Sequence, residues 1–121
     1  MNFIYVDGGT HKNRICMVDP QKGRIIVKNR GVNPTNNELE YLALLYGLEY
    51  INNEYSKKPI TVYTDSMLIA NQMNGKWRIT TEKLIPLYEK CMKKMRDDIK
   101  IKWVSREFNR AGWKLDSLLG K

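Results

Sequence analysis

The sequence has little of the residues that build zinc and disulfide sites. It contains one histidine, His11, and two cysteines, Cys16 and Cys91, which lie far apart and in no Cys-x-x-Cys spacing. The usual zinc sites combine several closely spaced cysteine and histidine ligands, so this composition excludes them. We interpret both cysteines as buried thiols. His11 lies in the loop GGTHKN, where a solvated residue is favoured over a catalytic base.

The chain also lacks a long apolar run. No stretch approaches the roughly 20 residues of a membrane span, and the N-terminus lacks the basic and then apolar segments of a secretion signal. We therefore expect a cytoplasmic protein without a membrane partner. Its 121 residues, of which 42% are hydrophobic, are expected to form a single domain over residues 1–121.

Acidic residues are outnumbered by basic ones. Lysine and arginine total 21 against 13 for aspartate and glutamate, which gives a formal net charge of +8. A basic surface suits a polyanionic partner, because lysine and arginine neutralise phosphate groups. Nucleic acid is the favoured partner class, and a membrane surface is the weaker interpretation.

Hydrophobic periodicity predicts an α/β protein. Three N-terminal segments separated by turn signals indicate an antiparallel meander. An asparagine cap and apolar residues at helical spacing predict a helix from Asn36 to about Asn52–Asn53. The predicted strands are residues 3–7, 14–18, 24–28, 60–65 and 99–104, and further helices are predicted just after Asp65, from Thr80 to Arg96, and at about 109–119. This order of elements predicts a mixed sheet with helices packed on it.

Two of the predicted strands end on an acid. Asp7 ends FIYVD and Asp65 ends ITVYTD, while Glu40 lies in the first turns of the long helix. If the two strands are neighbours, their ends lie roughly 5 Å apart, close enough for both carboxylates to share a hard cation. Without a cation they would repel, and one pKa would rise. Each acid also has a simpler interpretation: a turn residue at Asp7, a helix-dipole acid at Glu40 and a helix N-cap at Asp65.

The residues around these acids resemble type 1 ribonuclease H. The motifs YVDGG with Asn13 after it, TNNELEYLALLYGL and VYTDSMLIANQMNGKW follow in the order and spacing of that family, across essentially the whole chain. The helix containing LIPLY is most similar to that of the compact archaeal, plant and phage-type members that lack the basic protrusion. The resemblance implies a ribonuclease H-like fold: a five-stranded mixed sheet, with three antiparallel strands plus two parallel ones and helices on both faces.

The resemblance also implies an activity. It is the endonucleolytic hydrolysis of the RNA strand of an RNA/DNA hybrid, which leaves 5′-phosphate and 3′-hydroxyl ends. Two Mg²⁺ ions, with Mn²⁺ as a substitute, would be held by Asp7, Glu40, Asp65 and a further aspartate, and Asp7 would bridge both ions. Carboxylates suit this role because Mg²⁺ prefers oxygen ligands. A monomer is expected.

Seven residues match substrate-contacting positions of the family. Gly8, Gly9, Asn13, Asn36 and Asn37 match the minor-groove contacts, and Thr35 and Asn109 match positions near a DNA phosphate. Trp77 is a further candidate, whose ring would pack against a deoxyribose or base edge. Asparagines can read a 2′-hydroxyl, which lysine and arginine on phosphates cannot do. The alternatives are that Asn36 and Asn37 only cap a helix and that Trp77 folds back on the core.

The fourth carboxylate departs from the family pattern. A pattern of Asn, two residues, Ala and Asp would put the acid at position 113, which is Trp113. We predict that Asp116, three residues later on nearly the same helix face, takes this role. The alternatives are Glu107 and no fourth ligand. The loop SREFNRAG lacks the mobile histidine of many members, and Arg106 with Glu107 resembles the variant found in compact ones.

Two other functions fit the same residues. The chain can be interpreted as a catalytically inactive ribonuclease H-like domain that binds nucleic acid through its charge. It can also be interpreted as a related nuclease acting on DNA junctions, which would share the acids but would not need the groove-reading asparagines.

Overall fold

Five strands form one mixed sheet. The computed structural model describes residues 1–11, 13–31 and 33–118. The strands are β1 (Asn2–Gly9), β2 (Arg14–Asp19), β3 (Arg24–Asn29), β4 (Ile60–Thr64) and β5 (Ile99–Trp103), in the sheet order β3-β2-β1-β4-β5. The pairs β1–β2 and β2–β3 are antiparallel, and the pairs β1–β4 and β4–β5 are parallel. The predicted five-stranded mixed sheet is confirmed.

Four helices accompany the sheet in the described residues. They are α1 (Asn36–Glu54), α2 (Met67–Met73), α3 (Ile85–Lys94) and α4 (Arg110–Ser117), with single 3-10 turns at Glu82–Leu84 and Arg106–Phe108. The helix predicted from Thr80 to Arg96 is too long at its start. Pro86 has no backbone N–H and is tolerated only in the first turn of a helix, so α3 begins at Ile85. No helix among these residues is long and apolar enough to cross a membrane.

The start of α1 is a capping box and not the predicted asparagine cap. Thr35 Oγ1 accepts a hydrogen bond from the Glu38 N–H at 3.2 Å, and Glu38 Oε1 accepts one from the Thr35 N–H at 2.9 Å. These reciprocal bonds satisfy backbone donors that have no partner within the helix. Asn36 and Asn37 are the first residues of the helix, and their side chains are exposed.

Apolar side chains alternate along the strands and are buried on both faces of the sheet. On one face, Ile4 and Val6 of β1 pack in the main core with α1. On the other face, Cys16 of β2 packs in a smaller cluster with Ala111 and Leu115 of α4. Helices therefore cover both faces, as predicted. Both cysteines are buried free thiols.

One close backbone contact sets the position of α1 against the end of β1. A methyl group built on Gly8 would lie 2.4 Å from the carbonyl carbon of Leu39 and 2.8 Å from the backbone nitrogen of Glu40. Both atoms belong to the helix backbone, which cannot move aside as a flexible side chain can. Only glycine allows this approach, and the approach brings Glu40 next to β1.

We expect Gly8→Ala to destabilise the protein, because the added methyl group overlaps backbone atoms of α1. The loss should be about 1–3 kcal/mol in the free energy of unfolding, the usual range for overpacking. Gly9→Ala is the matched control, since its methyl group would lie 3.8 Å from the nearest atom, a side-chain carbon of Leu115. Urea unfolding of both variants measures the difference, and equal stabilities would contradict this description of the contact.

Candidate active site

Three carboxylate groups meet at one edge of the sheet. Asp7 lies near the end of β1, and Asp65 directly follows β4, the parallel neighbour of β1, in which Thr64 pairs with Val6. Glu40 comes from the first turns of α1. One oxygen from each of the three acids lies within 4.8 Å of the others. The predicted neighbouring strands are thus present, and the fold brings Asp7, Glu40 and Asp65 together.

The cluster lies largely out of solvent. Asp7 is 1% exposed and Glu40 is 6% exposed. Glu40 Oε1 accepts a hydrogen bond from the Gly8 N–H at 2.7 Å, which the close approach of α1 makes possible. Asp7 Oδ1 is buried and has no hydrogen-bond partner in the described part of the chain. A buried carboxylate oxygen without a partner is costly, and a cation beside it would remove that cost.

Burial and mutual repulsion disfavour the charged forms of these acids. Burial raises the pKa of Asp7, and the charge of Asp65 raises it further, while Arg106 acts in the opposite direction. Burial also raises the pKa of Glu40, followed by the charges of Asp7 and Asp65, against the hydrogen bond from Gly8. These effects favour the protonated forms of Asp7 and Glu40 at a pH where exposed carboxyls are ionised. A bound divalent cation would favour the fully ionised form instead.

Two side chains from the C-terminal part of the chain reach the acids. Arg106 Nη1 donates to Asp7 Oδ2 and to Asp65 Oδ2, both at 2.8 Å. Asn109 is fully buried, and its amide donates to Asp65 Oδ2 and to the Val6 carbonyl, both at 3.0 Å. Its side-chain oxygen caps α4 by accepting from the Ala111 N–H at 3.0 Å. Asn109 thus ties α4 to the site, and its predicted phosphate contact stays a prediction.

Asp116 lies beside the cluster and outside it. Its side chain is 52% exposed, and Oδ1 accepts from Arg106 Nη2 at 3.3 Å, so the same guanidinium joins Asp116 to Asp7 and Asp65. Trp113, at the position where the family pattern places the acid, is half exposed, and its indole N–H donates to the Glu107 carbonyl. The side chain of Glu107 is exposed. Neither Asp116 nor Glu107 belongs to the three-carboxylate group, and the role of Asp116 as fourth carboxylate stays a prediction.

The residues predicted to meet nucleic acid lie mainly around the same edge. Asn13 adopts a left-handed backbone conformation with φ of 49° in the turn after β1, which asparagine tolerates well. Thr35, Asn36 and Asn37 form the exposed start of α1. Trp77 follows α2 and is 46% exposed, so its ring does not belong to the buried core. Their contacts with nucleic acid stay predictions.

A cavity of about 330 Å³ opens beside the acids. Its lining includes three acids, Glu40, Asp65 and Asp116, and three predicted nucleic-acid contacts, Gly8, Gly9 and Asn36. The sequence reasoning misses Arg14, which also lines the cavity and has a buried Nη1 atom without a hydrogen-bond partner among the described residues. No motif marks Arg14, and only its position next to Asn13 could have suggested it.

Comparison with known proteins assigns the chain to a family. A sequence model described as reverse transcriptase-like matches residues 7–115, nearly the whole chain. The chain belongs to this family. A curated ribonuclease H of Caldicellulosiruptor saccharolyticus is 37% identical over 81 residues, which are 61% of this chain and 52% of the relative. The chain thus spans about half the length of the curated relative that it matches.

Solved ribonuclease H1 structures share the fold of this reverse transcriptase-like chain. The enzyme of the halophilic archaeon Halobacterium salinarum NRC-1 has a TM-score of 0.77 at 25% identity, covering 99% of this chain and 98% of that one. LC11-RNase H1, a protein isolated from compost, was solved in complex with an RNA/DNA hybrid. Its TM-score is 0.79 at 24% identity, and the match covers 98% of this chain and 99% of that one. The resemblance to ribonuclease H is confirmed.

We expect the metal-free protein to lose stability as the pH rises. A carboxyl whose pKa is raised by folding contributes stability at low pH, and this is lost as the pH passes from its unfolded to its folded value. Glu40→Gln removes one such group. The stability of this variant should therefore decline less with rising pH than the stability of the wild type. Thermal unfolding in EDTA at about pH 5 and about pH 8, above the ordinary carboxyl pKa, measures this.

Glu89→Gln is the control for this experiment, because Glu89 is an exposed glutamate of α3. It should follow the wild type at both pH values. If Glu40→Gln also declined as steeply as the wild type, Glu40 would not be a strongly perturbed acid.

Proposed function

We propose that the protein is a metal-dependent endoribonuclease that hydrolyses the RNA strand of RNA/DNA hybrids. The observation that carries this proposal is the group of three carboxylates, with one oxygen of each within 4.8 Å, at the sheet edge of a ribonuclease H fold. An acidic group alone would be weak support. The fold, the family and the cavity beside the acids together make a hydrolytic site the best-supported function.

The residues fit Mg²⁺, with Mn²⁺ as a substitute. All three acids offer only oxygen, the ligand type that Mg²⁺ prefers, and the buried Asp7 Oδ1 has no hydrogen-bond partner among the described residues. Burial and the neighbouring negative charges raise the pKa values of Asp7 and Glu40, and a divalent cation would offset both effects by attracting the ionised carboxylates. We propose two ions, in line with the resemblance to type 1 ribonuclease H.

Each acid has a proposed role in holding the ions. Two bound Mg²⁺ ions would supply activation of the attacking water and stabilisation of the leaving 3′ oxygen, and the products would carry 5′-phosphate and 3′-hydroxyl ends. Asp7, the most buried of the acids, would be a ligand of both ions, and Glu40 and Asp65 would help to hold the first of them. Asp116, already joined to Asp7 and Asp65 through Arg106, would be the fourth carboxylate.

The substrate class is proposed from the surface around the acids. Asn36 and Asn37 present exposed amides at the start of α1, and uncharged groups of this kind can read a 2′-hydroxyl. The half-exposed Trp77 offers a ring to a sugar or base edge, and the net charge of +8 favours a polyanion. LC11-RNase H1, which shares the fold, binds an RNA/DNA hybrid in its solved complex. A monomer in the cytoplasm is part of the same proposal.

We expect the protein to cut labelled RNA/DNA hybrid in Mg²⁺ and to be inactive in EDTA, with duplex DNA and duplex RNA left intact. Asp7→Asn should abolish cleavage and leave hybrid binding unchanged or stronger, because it removes a metal ligand and also a negative charge near phosphates. Gel assays of cleavage, together with filter binding, measure both properties.

Asp97→Asn is the matched control, since Asp97 is an exposed aspartate just before β5. It should cut as the wild type does. Substantial turnover by Asp7→Asn would contradict the metal site, hybrid binding without any cutting would indicate an inactive domain, and cutting of branched DNA would indicate a junction nuclease.

We also expect Asp116→Asn to slow hybrid cleavage severely, or to demand much more Mg²⁺, because it removes a proposed ligand of the second ion. Glu107→Gln should have a milder effect, since the Glu107 side chain is exposed and it is the backbone carbonyl, unchanged in the variant, that accepts from Trp113. Mg²⁺ titrations of the cleavage rate compare the two variants, and the reverse order of severity would move the assignment to Glu107.

A further inference from the structure

A guanidinium group occupies the centre of the acidic site. Arg106 Nη1 lies 2.8 Å from one oxygen of Asp7 and 2.8 Å from one oxygen of Asp65, and Nη2 lies 3.3 Å from Asp116. In the part of the chain that the structure describes, no other lysine or arginine forms an ion pair with these acids. Arg106 is therefore their cationic partner in this structure.

The fold leaves room for this group. A methyl group built on Gly112 of α4 would lie 3.0 Å from Arg106 Cζ and 3.1 Å from Nη1, so a larger residue would press on the guanidinium. Asn109 donates to the same Asp65 oxygen that accepts from Arg106. Arg106 begins the 3-10 turn, and the first turn of α4 leaves space beside it. The guanidinium thus lies over the carboxylates.

Arg106 and a divalent cation would compete for the same oxygens. Asp7 Oδ2 and Asp65 Oδ2, which accept from Arg106, belong to the acids proposed to hold the metal. A singly charged guanidinium and a doubly charged ion repel each other strongly at such short range in a poorly solvated site. The two partners therefore exclude one another from the pair of aspartates.

The different exposures of Asp7 and Arg106 would allow a metal ion to replace the guanidinium. Asp7 is 1% exposed, so its charge is expensive to leave without a cation. The side chain of Arg106 is 52% exposed, so it can swing into water at small cost. We propose that Arg106 is an internal counter-cation, which neutralises the cluster in the metal-free protein and is displaced when a divalent cation binds. This inference rests on the metal site of the proposed function.

The proposal predicts that Arg106 weakens metal binding. If the guanidinium occupies the aspartates in about nine of ten molecules, the apparent metal affinity falls by about tenfold. Arg106→Gln should therefore bind Mg²⁺ about tenfold more tightly by isothermal titration calorimetry, and it should unfold at a lower temperature than the wild type in EDTA. Arg106→Lys, which keeps the charge but loses the forked donor, should lie between the two.

Arg24→Gln is the matched control. Arg24 pairs with Glu54 on the surface, near the opposite end of the strands, so the variant loses the same charge and also breaks an ion pair. Its Mg²⁺ affinity should stay within about twofold of the wild-type value, because exposed charges separated by more than a Debye length are largely screened. An equal gain in both variants would mean that net charge alone sets the affinity, which would overturn the proposal.

Displacement itself is observed by NMR of the arginine side chains. In the metal-free wild type, the guanidinium protons of Arg106 should exchange slowly with water, because they are hydrogen-bonded to the aspartates. Saturating Mg²⁺ should make this exchange fast. Unchanged signals, together with equal Mg²⁺ affinity of Arg106→Gln and wild type, would show that Arg106 only ties the 3-10 turn to the sheet. Absence of Mg²⁺ binding by every form would instead overturn the metal site, and this inference with it.

Discussion

Repulsion among Asp7, Glu40 and Asp65 is the constraint on which the arrangement of the sheet edge depends. Buried carboxylates with oxygens within 4.8 Å are stable only when other groups offset their charge. Several elements supply such groups: the Gly8 N–H of β1 reaches Glu40, Arg106 reaches both aspartates from the turn before α4, and Asn109 reaches Asp65. The positions of α1 and α4 on opposite faces of the sheet are thus linked through the same acids.

A second buried carboxylate shows that burial alone does not make a reactive site. Asp19, the last residue of β2, is fully buried and accepts hydrogen bonds from the hydroxyls of Tyr50 and Tyr55 and from the backbone and side-chain amides of Gln21. Burial acts to raise the pKa of Asp19, but these bonds outweigh it and lower the pKa. In the part of the chain that the structure describes, no donor reaches Oδ1 of Asp7. The difference between a structural acid and a metal-ligand candidate therefore lies in unmet hydrogen-bonding capacity.

The last helix departs most from the family pattern, and the structure gives a physical account of the departure. Trp113 stands where the pattern places an acid, and its indole turns to the Glu107 carbonyl instead of the cluster. Asp116 lies further along α4 and reaches the two aspartates only through Arg106, which passes over Gly112. Arg106 thus lies between Asp116 and the two aspartates.

Strand, helix and acid positions were predictable from the sequence because they depend on short-range patterns. Alternating apolar residues predict the strands that Asp7 and Asp65 terminate, and helical spacing predicts the helix that carries Glu40. The helix start at Asn36 agrees with the prediction, but the residue that caps it is Thr35. The start of α3 differs from the predicted Thr80, because Pro86 fits only the first turn of a helix. The pairing of β1 with β4 was inferred only as a condition, because strand order is not a local property.

The sequence by itself therefore determined which residues form the acidic group. It also determined that Asp7 and Asp65 lie at the ends of their strands and that Glu40 lies near the start of a helix. The tertiary structure alone decided what surrounds them. Arg106 reaches Asp7 across 99 positions of the chain, and Asn109 becomes fully buried, only because α4 packs on the face of the sheet opposite α1. Contacts of this length depend on how helices settle on a sheet, and no periodicity within one segment records that packing.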